Sequence, residues 1–318
     1  MKRLLLLTMM GAALGLGSAH AGSFEKALRD AFKEKLLGPA AETQQAMAPP
    51  PQPMPPTQPT APTQPVAPVQ PVVKPGDQLL KALMKGKTSE QDEVRIGQQI
   101  AGNLLGAAPL VKDENLQRYV NNVGLWVALQ SERPTLPWRF GVIESEDINA
   151  FAAPGGYIFV TKGLYRTLDN EAELAGVLAH EIGHVLRKHH LKLLQKTQMI
   201  GALGSFLGQR VSDESQLVQN LIGNGAEIVA RGLDKDAEYE ADRIGMVLAA
   251  RAGYDAYALP AVLAEIGHVA KNDQRVSLLF KTHPQPEDRL SHLGEAVGDR
   301  FDRLLEGQSL ANRFYRIR

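Results

Sequence analysis

Two demands meet in residues 170–190, and few folds satisfy both. Asn170 and Glu173 have the spacing of a helix capping box, and Leu174, Val177, Leu178 and Val185 follow as the apolar face of a largely buried helix expected to run through about His190. Into this apolar frame the chain sets His180-Glu181-Ile182-Gly183-His184, an H-E-x-x-H pattern. Four residues of helix turn through about 400°, so both imidazoles face the same way. Their Cβ atoms lie about 6 Å apart, which suits two Nε2 atoms about 2.0–2.1 Å from one Zn²⁺. Glu181 lies about 100° round the helix, beside the metal, where it can take a proton from the attacking water. Two histidines and a glutamate inside a buried helix are costly unless a metal or other partners compensate them.

A catalytic zinc needs a third protein ligand and one open position. The chain has no cysteine, so only histidine and carboxylate can serve. His190 stands ten residues after His180, where an extended H-E-x-x-H-x-x-G-x-x-H motif puts its third histidine. That motif turns at a glycine, and this chain has Arg187 there. On an uninterrupted helix His190 points about 240° away from His184. Lys188-His189-His190 therefore reads as a solvated helix end. Glu238 is the better candidate, with Asp242 one turn later on the same face. Glu238 would bind the metal while Asp242 accepts the N–H of a ligand histidine, most naturally His180. Glu240 points elsewhere and reads as a solvated or ion-paired surface residue.

The remainder of the chain divides by composition. Met1-Lys2-Arg3, the apolar stretch Leu4 to Gly17 and Ala19-His20-Ala21 have the form of a secretory signal cleaved near Ala21, which implies the periplasm. Residues 22–48 hold a short amphipathic segment with Phe24, Leu28, Ala31, Phe32 and Leu36 on one side. Residues 49–76 form a Pro-rich linker. Pro56, Pro59, Pro62, Pro65, Pro68 and Pro71 recur at the three-residue period of polyproline II, which makes a semi-rigid spacer. Residues 77–318 are left for a metallopeptidase-type domain. Helical periodicity covers Ser89 to Leu105, Asp113 to Leu129, Lys235 to Ala252 and Ala258 to Ala270, with residues 191–235 helical but punctuated by glycine. Trp138 to Ile143 and Asn149 to Thr161 are extended, the second broken at Pro154-Gly155-Gly156. The expected fold is α+β, mostly helical, with a small sheet. Lys+Arg and Asp+Glu both number 35, so no charge excess points to nucleic acid.

With these residues in place the chain resembles the HtpX and CAAX-prenyl-protease family of zinc metallopeptidases. It is most similar to the soluble periplasmic branch of β-barrel assembly-enhancing proteases. The matching stretches run from about Ser89 to Leu293. They include Asn149 to Val160, Gly163-Leu164, the His180 motif, Glu238 to Gly245 and Thr282 to Leu290. The resemblance implies a gluzincin-like core with one zinc per chain on His180, His184 and Glu238, and Glu181 as general base. It implies that Asn149, Ala150 and Phe151 belong to an edge strand facing the active-site cleft, where an extended substrate adds by β-augmentation. It also gives meaning to His283. The histidine of a Thr-His-Pro loop can take the fourth metal position and hold the enzyme latent. Arg289 is a candidate for neutralising the oxyanion and reads equally well as an ion-pair residue.

Three departures from relatives stand out. The chain shows no membrane-spanning helices, no lipoprotein cysteine and no tetratricopeptide repeats after Pro284. The expectation is a periplasmic zinc endopeptidase acting on unfolded or misassembled envelope proteins in quality control. An outer-membrane assembly partner would be recruited through the N-terminal segment. The competing expectation is a latent, chaperone-like binding protein on the same zinc fold, with peptidase activity gated by His283.

Overall fold

In the computed structural model, the described residues are 88–206, 233–270, 272–298 and 307–317. The signal peptide, the amphipathic segment and the Pro-rich linker all lie outside them. The first helix, α1 (Glu90–Ala107), starts where Ser89 accepts a hydrogen bond from the Asp92 N–H, and buries Ile96, Ile100 and Leu104. Helix α2 (Glu114–Ala128) is capped by Asp113 and buries Leu116, Val120, Val123 and Val127, the stripe the periodicity predicts.

The sheet follows: β1 (Arg139–Ile143), β2 (Ala150–Ala153) and β3 (Tyr157–Thr161), in spatial order β1-β3-β2. β1 is parallel to β3, and β2 is antiparallel to it, with Phe151 opposite Phe159. The β2–β3 turn uses Gly155 at φ +76° and Gly156 at φ +96°. A Cβ on Gly155 would lie 2.5 Å from the Val94 Cα, so the turn also requires glycine for its contact with α1. The outer side of β1 is satisfied by the backbone of residues 109–111 and by amide side chains from α2. Gln117 Nε2 donates to the carbonyl of Val142 at 2.9 Å, and its Oε1 accepts the Val142 N–H at 2.9 Å. β2 forms the other edge, and all four of its residues are buried.

After the short α3 (Lys162–Thr167) comes α4 (Glu171–Leu186), in which every residue is buried. Asn170 caps it by accepting the Glu173 N–H at 3.0 Å, and Glu173 reaches back to accept the Asp169 N–H at 2.6 Å. The helix ends four residues before His190, earlier than the periodicity predicts. Lys188 takes a left-handed conformation at φ +55°, and a new helix, α5 (His189–Phe206), begins at once. A non-glycine residue in that region is uncommon. Lys188 is held there by its N–H on the Val185 carbonyl at 3.1 Å and its Nζ on Glu93 at 3.1 Å.

Helix α6 (Lys235–Arg251) is capped by Asp234 and packs on α4 more extensively than any other pair of elements. Helices α7 (Ala258–His268), α8 (Gln274–Ser277), α9 (Leu279–Thr282) and α10 (Pro286–Val297) follow, with Pro286 at the first position of α10. A 3₁₀ turn at Ala311–Arg313 returns the C-terminal segment to the start of α4. There the buried Glu171 accepts from Tyr119 at 3.0 Å and Tyr254 at 2.9 Å, and pairs with Arg313 at 3.0 Å. Among the described residues no helix is long and apolar enough to cross a membrane.

Two glycines, one on each helix, set the α4–α6 spacing. A Cβ on Gly183 would stand 3.2 Å from the Cα and O of Ala241, and one on Gly245 would stand 3.0 Å from the backbone N of His180. Gly245→Ala should therefore cost about 1–3 kcal/mol through overpacking. Gly102→Ala, exposed with nothing within 4 Å of its Cβ, should be neutral or stabilise by about 0.5–1 kcal/mol. Denaturant midpoints of the two variants check this; equal behaviour would show that the helix spacing is not fixed by glycine.

Candidate metal centre

The α4–α6 contact brings three side chains to one point, and the residue after α9 adds a fourth. His180 and His184 come from α4, Glu238 from the first turn of α6, and His283 from the C-cap of α9. One ligand atom from each lies within 4.8 Å of all the others. The two Nε2 atoms are 3.0 Å apart. Glu238 Oε2 is 3.6 Å from His180 Nε2, and Oε1 is 3.5 Å from His184 Nε2. A tetrahedral ion with bonds of about 2.0–2.1 Å has ligand–ligand edges of about 3.3 Å, and these separations straddle that value.

Two further observations fit a cation. Glu238 is fully buried, yet its Oε1 has no hydrogen-bond partner, a costly state for a carboxylate oxygen. Glu181, Glu238 and Asp242 are buried carboxylates and Arg289 is a buried guanidinium. Ionised, the four leave two negative charges in a small volume, which a divalent ion neutralises. His283 partly fills that role through Nδ1, 2.6 Å from Glu238 Oε2. Burial opposes its cation, but Glu238 outweighs burial and holds His283 above the usual histidine range.

Asp242 lies against His180. Its Oδ1 is 2.8 Å from His180 Nδ1, so an ionised Asp242 accepts the Nδ1–H and leaves the Nε2 lone pair facing the centre. Arg289 is directed at the same carboxylate. Its Nε donates to Asp242 Oδ2 at 2.9 Å, and its Nη2 donates to Oδ1 while lying 3.2 Å from His180 Nδ1. Burial disfavours the Asp242 anion, but Arg289 more than compensates and holds the carboxyl far below its ordinary range. Glu181 differs. Desolvation pushes its carboxyl up, against the opposing fields of His180, His283 and Arg289.

One sequence expectation needs correction here. Lys188-His189-His190 is not a solvated helix end: His189 and His190 are 6% and 7% exposed. The left-handed Lys188 turns the chain, so both rings fold back beside His184, at centroid distances of 5.2 Å and 5.6 Å. No local pattern in the sequence announces that turn: the motif's glycine position holds Arg187, and the left-handed residue is Lys188, one position later. Glu240, read as a solvated or ion-paired surface residue, is half-exposed and ion-paired: its Oε1 is 2.9 Å from Arg187 Nε and its Oε2 is 3.2 Å from His189 Nε2. His190 remains outside the group of four ligand atoms. Asn149 immediately precedes the edge strand that contains Ala150 and Phe151, and its N–H donates to Thr161 Oγ1 at 3.0 Å.

The profile of peptidase family M48 matches residues 114–297, more than half of the chain. The chain belongs to peptidase family M48. Within that span lie all four members of the cluster. Curated relatives of this M48 chain include the β-barrel assembly-enhancing protease of Escherichia coli (strain K12), 34% identical over 208 residues, which are 63% of this chain and 42% of the relative. The protein of that name from Yersinia pestis is 32% identical over 211 residues, 64% of this chain and 43% of the relative. The mitochondrial metalloendopeptidase OMA1 of Arabidopsis thaliana is 30% identical over 169 residues, 53% of this chain and 33% of the relative. The chain thus spans less than half the length of these relatives.

The histidines of this M48 site make metal-free stability depend on pH. Burial pushes His190 down to about 4 and His184 well below its ordinary value. Unfolded histidine titrates near ~6.5, so between about 6.5 and 4 the unfolded chain binds more protons. Stability is full above ~6.5 and falls as pH drops toward 4, by up to about 3 kcal/mol for His190 alone. Urea midpoints of chelator-treated protein should show the fall, and His190→Phe should flatten it. The same slope in both proteins would refute the assignment to His190.

Proposed function

We propose that this chain is a zinc-dependent endopeptidase. The observation that carries the reading is the buried Glu238 carboxylate inside an M48 chain: its orphaned Oε1 is 3.5 Å from His184 Nε2 and its Oε2 is 3.6 Å from His180 Nε2, both near a tetrahedral edge. His180, His184 and Glu238 would hold the ion. When bound, zinc polarises the scissile carbonyl and lowers the pKa of water toward ~7. Glu181 takes a proton from the attacking water and delivers it to the leaving amine nitrogen. Asp242 fixes the tautomer of His180, and Arg289 holds Asp242 in place. Service to the oxyanion by Arg289 would require its release from that carboxylate.

Asn149, Ala150 and Phe151 would supply the edge against which an extended substrate pairs, a reading supported by β2 ending the three-stranded order and packing on α4. A periplasmic home after cleavage near Ala21, envelope proteins as substrates, and an outer-membrane assembly partner for the N-terminal segment belong to the same proposal. Their support is the charge pattern of residues 1–21 and the names of the relatives.

A latent state is favoured by one contact. His283 Nδ1 sits 2.6 Å from Glu238 Oε2, inside the ligand group. An imidazole there takes the position that water needs, so the resting protein would bind unfolded chains more readily than it cuts them. Two variants test these readings with zinc content and cleavage of an unfolded protein. Glu181→Gln should keep one zinc per chain and lose about 10²–10⁴ of the cleavage rate. His283→Ala should keep zinc and cleave faster. Absence of zinc from folded, metal-supplemented protein would overturn the ligand assignment, and unchanged cleavage by His283→Ala would overturn latency alone.

A further inference from the structure

The two metal-facing histidines are held by different devices. His180 leans directly on Asp242 at 2.8 Å. Among the described residues, no carboxylate bonds His184 Nδ1. That atom lies 2.9 Å from Nδ1 of His189, and His189 Nε2 lies 3.2 Å from Glu240 Oε2. An ionised Glu240 can only accept, so His189 carries its hydrogen on Nε2 and presents a lone pair at Nδ1. Two ring nitrogens at 2.9 Å share one hydrogen, which therefore sits on His184 Nδ1. The His184 Nε2 then bears a lone pair directed at the same point as that of His180.

We propose that His189 is a positioning residue of the metal centre: it fixes the tautomer and ring orientation of His184, and Glu240 in turn fixes His189. The inference rests on the metalloendopeptidase reading. It gives α6 a double task, since Asp242 serves His180 directly and Glu240 serves His184 through one intervening ring. It also gives the left-handed Lys188 a purpose. On a continuous helix His189, five residues on from His184, would lie about 140° round the axis and out of reach. The break at φ +55° returns its ring to 5.2 Å from that of His184. Both rings are buried, while Glu240 is 38% exposed and is flanked by Arg187, whose Nε lies 2.9 Å from its Oε1. The anchor of the relay thus stays hydrated while its inner part is dry.

The test uses the full chain and zinc itself, with affinity read by competition against a chromophoric chelator and geometry by the visible spectrum of the cobalt-substituted protein. His189→Phe keeps a ring and removes the acceptor; zinc affinity should fall about ten- to a hundredfold. His189→Asn places a carbonyl oxygen where Nδ1 stood and should restore most of that loss and the cobalt spectrum. A merely structural role would make the two variants equally defective. Tight zinc binding by folded His189→Phe, or equal losses in Phe and Asn, overturns the proposal. If His189→Phe does not fold, Glu240→Ala decides: weakened zinc binding supports the relay, and affinity equal to that of the unmodified chain overturns it. Failure of the unmodified chain to bind zinc would instead sink the metalloendopeptidase reading.

Discussion

The site depends on how closely α4 and α6 approach. Each helix contributes a glycine at the crossing, and each glycine faces backbone of the other helix at 3.0–3.2 Å from where a Cβ would stand. A methyl group on either side would push the backbones apart. Side chains that now lie 2.8–3.6 Å from their partners would then lose contact together, because His180, His184, Glu238 and Asp242 all project into the one interface. Precision here comes from rigid, buried helices. Every residue of α4 is buried, its start is tied by Asn170, Glu173 and the C-terminal segment at Ser309, and its end is fixed by Lys188.

That rigidity carries an electrostatic cost. Carboxylates at Glu181, Glu238 and Asp242 are almost wholly out of water. Arg289 compensates Asp242 with a two-limbed ion pair, the geometry in which a buried pair best offsets its desolvation. Glu238 has no such fixed partner, only the imidazole of His283 on one oxygen. The protein therefore keeps one carboxylate permanently neutralised and leaves another with a deficit. A binding site for a cation is that deficit made local, and it couples ion binding to the stability of the α4–α6 interface.

Much of this was legible in the sequence because the relevant signals are local and periodic. The four-residue spacings of His180 with His184 and of Glu238 with Asp242 define faces whatever the tertiary fold. The apolar stripe of α2, the cap at Asn170 and the Gly155-Gly156 turn are likewise short-range patterns that the structure bears out. What could not be read was set by contacts between distant segments. The strand order β1-β3-β2 depends on α2 amides closing one edge, through Gln117 and Asn121. The pairing of Arg289 with Asp242 joins residues 47 apart.

The break at Lys188 shows why such a feature escapes local rules. A left-handed turn is expected at glycine, since a side chain there costs roughly 1–2 kcal/mol. Lysine at this position loses that conformational ease, yet its side chain reaches Glu93 on α1, which is also paired with Arg133 and accepts the Gly155 N–H. The strain at one residue is thus offset by a buried acid that already joins α1 to the β2–β3 turn. Glycine would make the turn without that tie. The side chain that breaks the propensity rule also anchors the turn to the sheet side of the molecule. The same turn brings His189 and His190 in from the surface to the rim of the metal centre.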